Sequence, residues 1–150
     1  LVVESPFKHG PVESNDCTAC HMVHGESHLK LLTNDFPEAF YTAYETEKYA
    51  ICFDCHNDRV ALDKWSKETQ LRNGNRNLHF LHVNREKGRN CKACHEVHAG
   101  YQERHIREDI PFGNKGWSYP INYTVTENGG GCTVGCHRPL SYDREKAVKY

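Results

Sequence analysis

The sequence is short of the apolar residues that build a self-sufficient core. Hydrophobic residues make up 37% of its 150 residues, the mean hydropathy is −0.80, and there is a single methionine. This composition is lean for one domain of this length, which must bury enough apolar surface to offset the entropy lost on folding. We therefore expect something other than side chains to supply part of the core.

Long apolar runs and a dominant charge are also missing. No stretch approaches the roughly 18 apolar residues of a membrane helix, so we expect no membrane insertion. The net charge is −1, with 19 basic and 20 acidic residues, so nothing indicates a nucleic-acid partner. The chain begins at Leu1 rather than Met, from which we expect an exported protein, periplasmic or extracellular, whose signal has been removed.

No cysteine lies outside four closely similar motifs. Three of them read C-x-x-C-H, and the fourth has one extra residue between its cysteines. They occupy residues 17–21, 52–56, 91–95 and 132–137, which we call motifs 1 to 4. The cysteines are Cys17, Cys20, Cys52, Cys55, Cys91, Cys94, Cys132 and Cys136, and the closing histidines are His21, His56, His95 and His137.

C-x-x-C-H is the attachment sequence for c-type haem, and its spacing follows from the chemistry. Two thiols three positions apart lie on one side of a helical turn, where each can add to one vinyl group of the porphyrin. The histidine that follows lies under the ring and directs an imidazole nitrogen at the iron. We therefore predict four covalently bound haem c groups, which would also supply the missing apolar surface.

Two other uses of paired cysteines explain fewer features of these motifs. Two zinc ribbons would use all eight thiolates, but they have no need of a histidine after each second cysteine. A disulfide framework requires neither the close pairs nor the histidines. In motif 4, Gly135 beside the second cysteine can bulge so that both thiols reach the porphyrin. The alternative there is a single thioether.

Histidines outside the motifs can fill the second axial position of each iron. Seven are present: His9, His24, His28, His79, His82, His98 and His105. His24 and His98 each lie three residues past a motif histidine, on the same side of the porphyrin as that ligand. We therefore expect each to bind a neighbouring iron instead.

The predicted set of distal ligands is completed by His9 and His82. They lie eight and nine residues before motifs 1 and 3, at matching positions. His79 competes with His82, and we expect His28 and His105 to be solvated or bonded to haem propionates. Two histidines on every iron leave no open site, which favours electron transfer over catalysis, so we do not expect an enzyme.

The arrangement of motifs and histidines repeats after about 75 residues, which fits a duplicated two-haem module. We predict a single domain over residues 1–150, with halves at about 1–74 and 75–150. It should be a small haem-centred multihaem cytochrome c fold, mostly irregular with a few short α-helices. Turn and cap residues predict helices over about 36–56 and 58–72, and a loop over 111–131 with a short strand at 123–126. Trp65 and Leu71 of the second helix would pack on a porphyrin or on another helix.

The order His-x-Pro-Val, C-x-x-C-H-x-Val-His-Gly and a second C-x-x-C-H resembles the paired C-x-x-C-H family of multihaem cytochromes. The resemblance covers residues 9–56 well. It is weaker over residues 82–137, because no proline follows His82 and motif 4 is stretched. The chain is also similar to the tetrahaem cytochromes of metal-reducing microbes, some of which polymerise into extracellular filaments.

The resemblance implies bis-histidine haems and, in filament formers, a histidine donated across the subunit boundary, for which His9 is the natural donor. The implied function is electron transfer by an extracellular conductive filament. The chain would then associate with itself and pass respiratory electrons to other redox proteins or external acceptors. A soluble periplasmic carrier is the alternative interpretation, and a multihaem reductase with one open haem is a third.

Overall fold

The computed structural model describes residues 4–24, 28–112 and 116–150, with the backbone alone at position 112. Its regular elements are short, and most of the chain is irregular. Among the described residues, no helix has the length and apolar character needed to cross a bilayer. The prediction of a mostly irregular chain with a few short helices is therefore confirmed.

The helices are α1 (Gly10–Glu13), α2 (Ala50–Phe53), α3 (Arg59–Leu62) and α4 (Leu78–Val83). Single 3-10 turns lie at Cys17–Ala19, Leu29–Leu31, Thr46–Tyr49, Cys91–Ala93 and Glu103–His105. The strands are β1 (Phe7–Lys8), β2 (Tyr41–Thr42), β3 (Arg72–Asn73), β4 (Arg76–Asn77), β5 (Gly88–Arg89), β6 (Ala99–Gly100), β7 (Asp109–Phe112), β8 (Trp117–Thr126), β9 (Gly129–Val134) and β10 (His137–Asp143).

The largest regular unit is a four-stranded antiparallel sheet in the order β10-β9-β8-β7. Ile110, Ile121 and Tyr142 are its buried side chains. The loop predicted over 111–131 is therefore wrong, although residues 113–115 lie outside the described part. The short strand predicted at 123–126 is confirmed, since these residues lie in β8. Glycine suggested a loop, but here it allows close approach of strands, since a Cβ at Gly129 would collide with the carbonyl of Tyr142.

The helix predicted over 36–56 is also wrong, apart from its last turns. The carbonyls of Pro37 and Ala39 accept hydrogen bonds from the buried Asn90 side chain, at 3.2 and 2.7 Å. Strand β2 then pairs with β5. Backbone groups committed to these long-range partners cannot form a helix ladder, so helical structure begins only at the 3-10 turn and α2.

The second predicted helix, over 58–72, ends after one turn. The Asn77 side chain donates to the carbonyls of Val60 and Asp63, both at 2.8 Å, and so takes the acceptors that would extend α3. Trp65 follows in irregular chain and is 63% exposed. The expected helix–helix contact of Trp65 is therefore not formed.

Two small sheets of two strands each, together with a hairpin, connect parts of the chain that are far apart in sequence. Strand β1 pairs with β6, which places the N-terminal segment beside the loop after motif 3. Strands β3 and β4 form the hairpin, and its Asn73 side chain also binds the backbone of Val148. The apolar core is small, and Tyr49 is its one large, fully buried aromatic among the described residues.

Candidate metal centres

Motifs 1 to 3 begin in a helical turn, as their spacing predicts. In each, the amide of the closing histidine donates to the carbonyl of the first cysteine, at 2.9 Å for His21 and His56 and 3.0 Å for His95. This is the four-residue bond of an α-helical turn, and it brings both thiols to the same side as the imidazole.

Motif 4 is built differently, on the hairpin between β9 and β10. Cys132 lies in β9, His137 begins β10, and the strand register shifts between His137 and Leu140. Gly135 occupies the turn, where a Cβ would collide with the ring of Tyr119. The extra residue of the stretched motif is thus taken up by a strand turn rather than by a helical one.

The loops that follow motifs 1 and 3 repeat each other in detail. Nδ1 of His21 bonds to the carbonyl of Lys30, and Nδ1 of His95 to that of Arg104, both at 3.0 Å. Lys30 and Arg104 both adopt positive φ, 61° and 60°. The second loop lies 74 residues after the first, at positions 95 and 104 against 21 and 30.

These hydrogen bonds determine which imidazole nitrogen can bind a metal. A backbone carbonyl can only accept, so Nδ1 carries the proton and Nε2 keeps its lone pair for a metal. Nδ1 of His137 and His82 also bonds to a carbonyl, at 2.7 Å in each case. Nδ1 of His79 bonds to the hydroxyl of Thr69 at 2.9 Å.

Three motif histidines face a second histidine in a nearly parallel orientation. The ring centres of His21 and His98 are 6.0 Å apart with 13° between the planes. His56 and His9 are 5.9 Å apart at 14°, and His95 and His79 are 6.3 Å apart at 19°.

The fourth motif histidine also has a neighbouring imidazole. Burial lowers the pKa of His82, and the nearby Arg89 and His137 lower it further. Each motif histidine therefore has one non-motif histidine close to it.

This geometry fits an iron between the two rings of a pair. Two imidazoles bound to opposite sides of one metal ion, each through a metal–nitrogen bond of about 2 Å, have ring centres about 6 Å apart. The three measured separations, 5.9 to 6.3 Å, match that value. The donor set that haem iron requires is thus assembled within one chain.

Burial keeps the paired imidazoles in the form that binds metals. It lowers the pKa of His79 to about 4 and also lowers the pKa values of His9 and His95. These side chains are therefore neutral at pH 7, and a neutral imidazole is the form that ligates iron.

The structure brings three of the four predicted distal histidines, His9, His82 and His98, to motif histidines. The fourth, His24, is exposed, and its place is taken by His79, which the sequence had set only as a competitor of His82. No sequence signal separates these two, because α4 carries both His79 and His82 and presents each to a different motif. His9 pairs with His56 of its own chain. A histidine donated across a subunit boundary stays a prediction of the resemblance.

The other two non-motif histidines lie outside the pairs. Nδ1 of His28 is 2.7 Å from a carboxylate oxygen of Asp35. His105 packs edge-on against His9, with ring centres 5.7 Å apart. The repeat of 74 residues places His105 opposite Leu31 rather than opposite His28.

Thiols of successive motifs are neighbours. Burial raises the pKa of the Cys20 thiol, and Cys52 and Cys55 raise it further. A hydrogen bond between Cys91 and Cys52 raises the pKa of Cys91 and lowers that of Cys52.

The last contact in this series joins motifs 3 and 4. Burial, together with the Cys132 thiol, raises the pKa of Cys94 to about 11. The motifs therefore follow one another in space in their sequence order, 1, 2, 3 and 4.

A zinc site makes a different requirement of the described residues. Within the described residues, no group of three or more histidine, cysteine or acidic side chains is arranged to hold a metal ion by itself. A structural zinc ion is bound by four such donors.

Residues 9–61 match the family model described as Doubled CXXCH motif. The match spans motifs 1 and 2 together with His9, and it covers less than half of the chain. It supports a multihaem c-type cytochrome with covalently bound haem c and a role in electron transport. Searches of curated proteins and of solved structures gave no match.

Proposed function

We propose that this chain is an electron-transfer protein that carries four haem c groups, one on each motif, each with two histidine ligands. The observation that carries the proposal is the approach of a non-motif histidine to every motif histidine. When bound, the iron porphyrins supply one-electron redox centres that exchange electrons with their neighbours.

The chain's own residues would hold these groups as follows. The cysteine pairs of the motifs form the thioethers. The pairs that would bind the irons are His21 with His98, His56 with His9, His95 with His79, and His137 with His82. Hydrogen bonds at Nδ1 of five of these eight side chains fix the ring orientation and direct Nε2 at the metal.

The neighbouring thiols support a linear order of the four groups. Cys17 in motif 1 and Cys136 in motif 4, at the two ends of the order, are exposed, as is Cys55. Electrons would therefore enter and leave at motifs 1 and 4, the two ends of this order.

A carbon monoxide binding experiment tests the ligation directly. Carbon monoxide needs an open axial position, and the paired histidines leave none. The reduced, haem-loaded protein should therefore show the same optical spectrum with and without carbon monoxide. A carbon monoxide complex would contradict full bis-histidine ligation and would favour the alternative of a reductase with one open haem.

We further propose that copies of the chain associate end to end into an extracellular filament that carries respiratory electrons to external acceptors. Val23 and Leu29, close to motif 1, are 67% and 49% exposed, which gives that end an apolar surface. The near-neutral charge also suits packing against a like copy better than steering toward a charged partner.

Negative-stain electron microscopy of the purified haem-loaded protein separates the two forms. Filaments are expected if the ends dock, and each subunit should then retain four low-spin haems. Monodisperse particles at high protein concentration would contradict the filament proposal and favour the soluble periplasmic carrier.

A further inference from the structure

His105 carries a buried polar atom that the protein leaves without a partner. Its Nδ1 is inaccessible to water and has no hydrogen-bond partner among the described residues. Buried polar atoms nearly always have a partner, and those without one mark an absent ligand or a functional site. His105 is also not a member of any of the four axial pairs.

The position of His105 is central among the proposed ligands. Its ring meets that of His9 edge-on, at 5.7 Å and 77°. The next residue, Ile106, forms an antiparallel backbone bridge with His95. His105 therefore lies where a distal ligand of motif 2 and the proximal ligand of motif 3 come together.

The repeated loop shows that the backbone does not require histidine here. Leu31 takes the same place in the loop after motif 1, with the same positive φ of 56°. Its carbonyl accepts from Met22 at 2.7 Å, as the carbonyl of His105 accepts from Glu96 at 2.7 Å. Leucine is thus compatible with this backbone geometry. The presence of histidine at position 105 must therefore be explained by a role of its imidazole.

We propose that His105 is a positioning residue that donates a hydrogen bond from Nδ1 to a propionate of the haem held by motif 2. The proposal rests on the proposed function, because that haem supplies the acceptor. Carboxylates are the strong hydrogen-bond acceptors that a haem adds to a protein, and a bond to an ionised acceptor is stronger than one between neutral groups.

The bond has a consequence for the redox potential. A donor to the propionate offsets negative charge at the porphyrin and so stabilises the reduced state. Loss of the donor should lower the potential of one haem and leave the other three unchanged. A side chain that only fills space would not move a single potential in this way.

The test compares three variants of the haem-loaded chain by redox titration followed optically. His105→Leu installs the residue of the other loop and removes the donor. His105→Asn keeps a donor at the position of Nδ1. His24→Leu makes the same chemical change at an exposed histidine outside the pairs and serves as the control.

A lowered potential for one haem in His105→Leu, restored in His105→Asn and unchanged in His24→Leu, is the expected result. Equal potentials in wild type and His105→Leu, or equal losses in the leucine and asparagine variants, would overturn the proposal. If the leucine variant does not assemble, His105→Phe decides, because it keeps a ring and removes the donor: one lowered potential supports the bond and unchanged potentials refute it. Failure of the proposed function would instead appear in the wild-type protein, as fewer than four low-spin haems.

Discussion

At the scale of single residues, the choice of axial ligand depends on burial and on the partner of Nδ1. His79 and His24 each lie close in sequence to another histidine of the ligand set. His79 is buried, bonded through Nδ1 to Thr69 and parallel to His95, whereas His24 is exposed. In the proposed bis-histidine arrangement, these contacts favour His79 over His24 as the second ligand at motif 3.

Replacement of His79 by alanine should therefore convert one haem of four from low-spin to high-spin, because its iron loses one axial ligand. The chain should keep all four haems, since the thioethers do not involve His79. His24→Ala is the matched control and should leave every haem low-spin. Electron paramagnetic resonance of the oxidised protein measures both, and a high-spin signal from the His24 variant alone would reverse the assignment.

The sequence predicted the chemistry of these residues better than their pairing. Eight cysteines and four motif histidines follow from the motif alone, because attachment is a local covalent requirement. His9, His82 and His98 were also predicted as distal ligands, His9 and His82 from their matching positions before motifs 1 and 3 and His98 from its place three residues past His95. The exchange of His24 for His79 could not be predicted, because it depends on where α4 lies in space.

At the scale of elements, buried asparagines replace the hydrogen bonds that long helices would supply. Asn77 is 1% exposed and caps α4, accepting from the amides of His79 and Phe80. Its amide also donates to two carbonyls of the preceding turn. One side chain therefore both ends α3 and begins α4, the helix that carries His79 and His82.

Asn77→Ala should destabilise the haem-loaded protein strongly. Loss of the cap costs about 1 kcal/mol, and two buried carbonyls left without donors cost about 1–3 kcal/mol more. For a chain of this size, the loss corresponds to a fall in Tm of roughly 5–10 °C. Thermal unfolding followed by circular dichroism measures it.

The exposed Asn75 in the same hairpin offers a control for this prediction. Asn75→Ala should stay within about 2 °C of wild type, because substitutions at exposed positions change stability little. Equal Tm values for the two variants would show that the buried amide does not hold α4 in place.

The sequence could not reveal these elements, for a physical reason. Helix signals such as Pro37 and the polar residues around it are local, whereas Asn90 removes the backbone acceptors from a distance of about fifty positions. Glycines at 129–131 indicated a loop by composition, but they serve close packing between strands. Local propensity was overridden by long-range hydrogen bonds in each case.

At the scale of the whole molecule, the proposed haems would explain both the low content of apolar residues and the small apolar core. Among the described residues, few large apolar side chains are fully buried, and Tyr49 is the largest of them. Porphyrins attached at four places would provide the apolar surface that the sequence lacks. The chain then acts mainly as a set of loops that hold four groups in a fixed order.

Intact-mass spectrometry of the protein made alongside a haem-attachment system tests this account most directly. The expected mass is that of the polypeptide plus four haems, and it should persist after denaturation because the thioethers are covalent. A mass with fewer haems, or one explained by disulfides or by zinc alone, would contradict it.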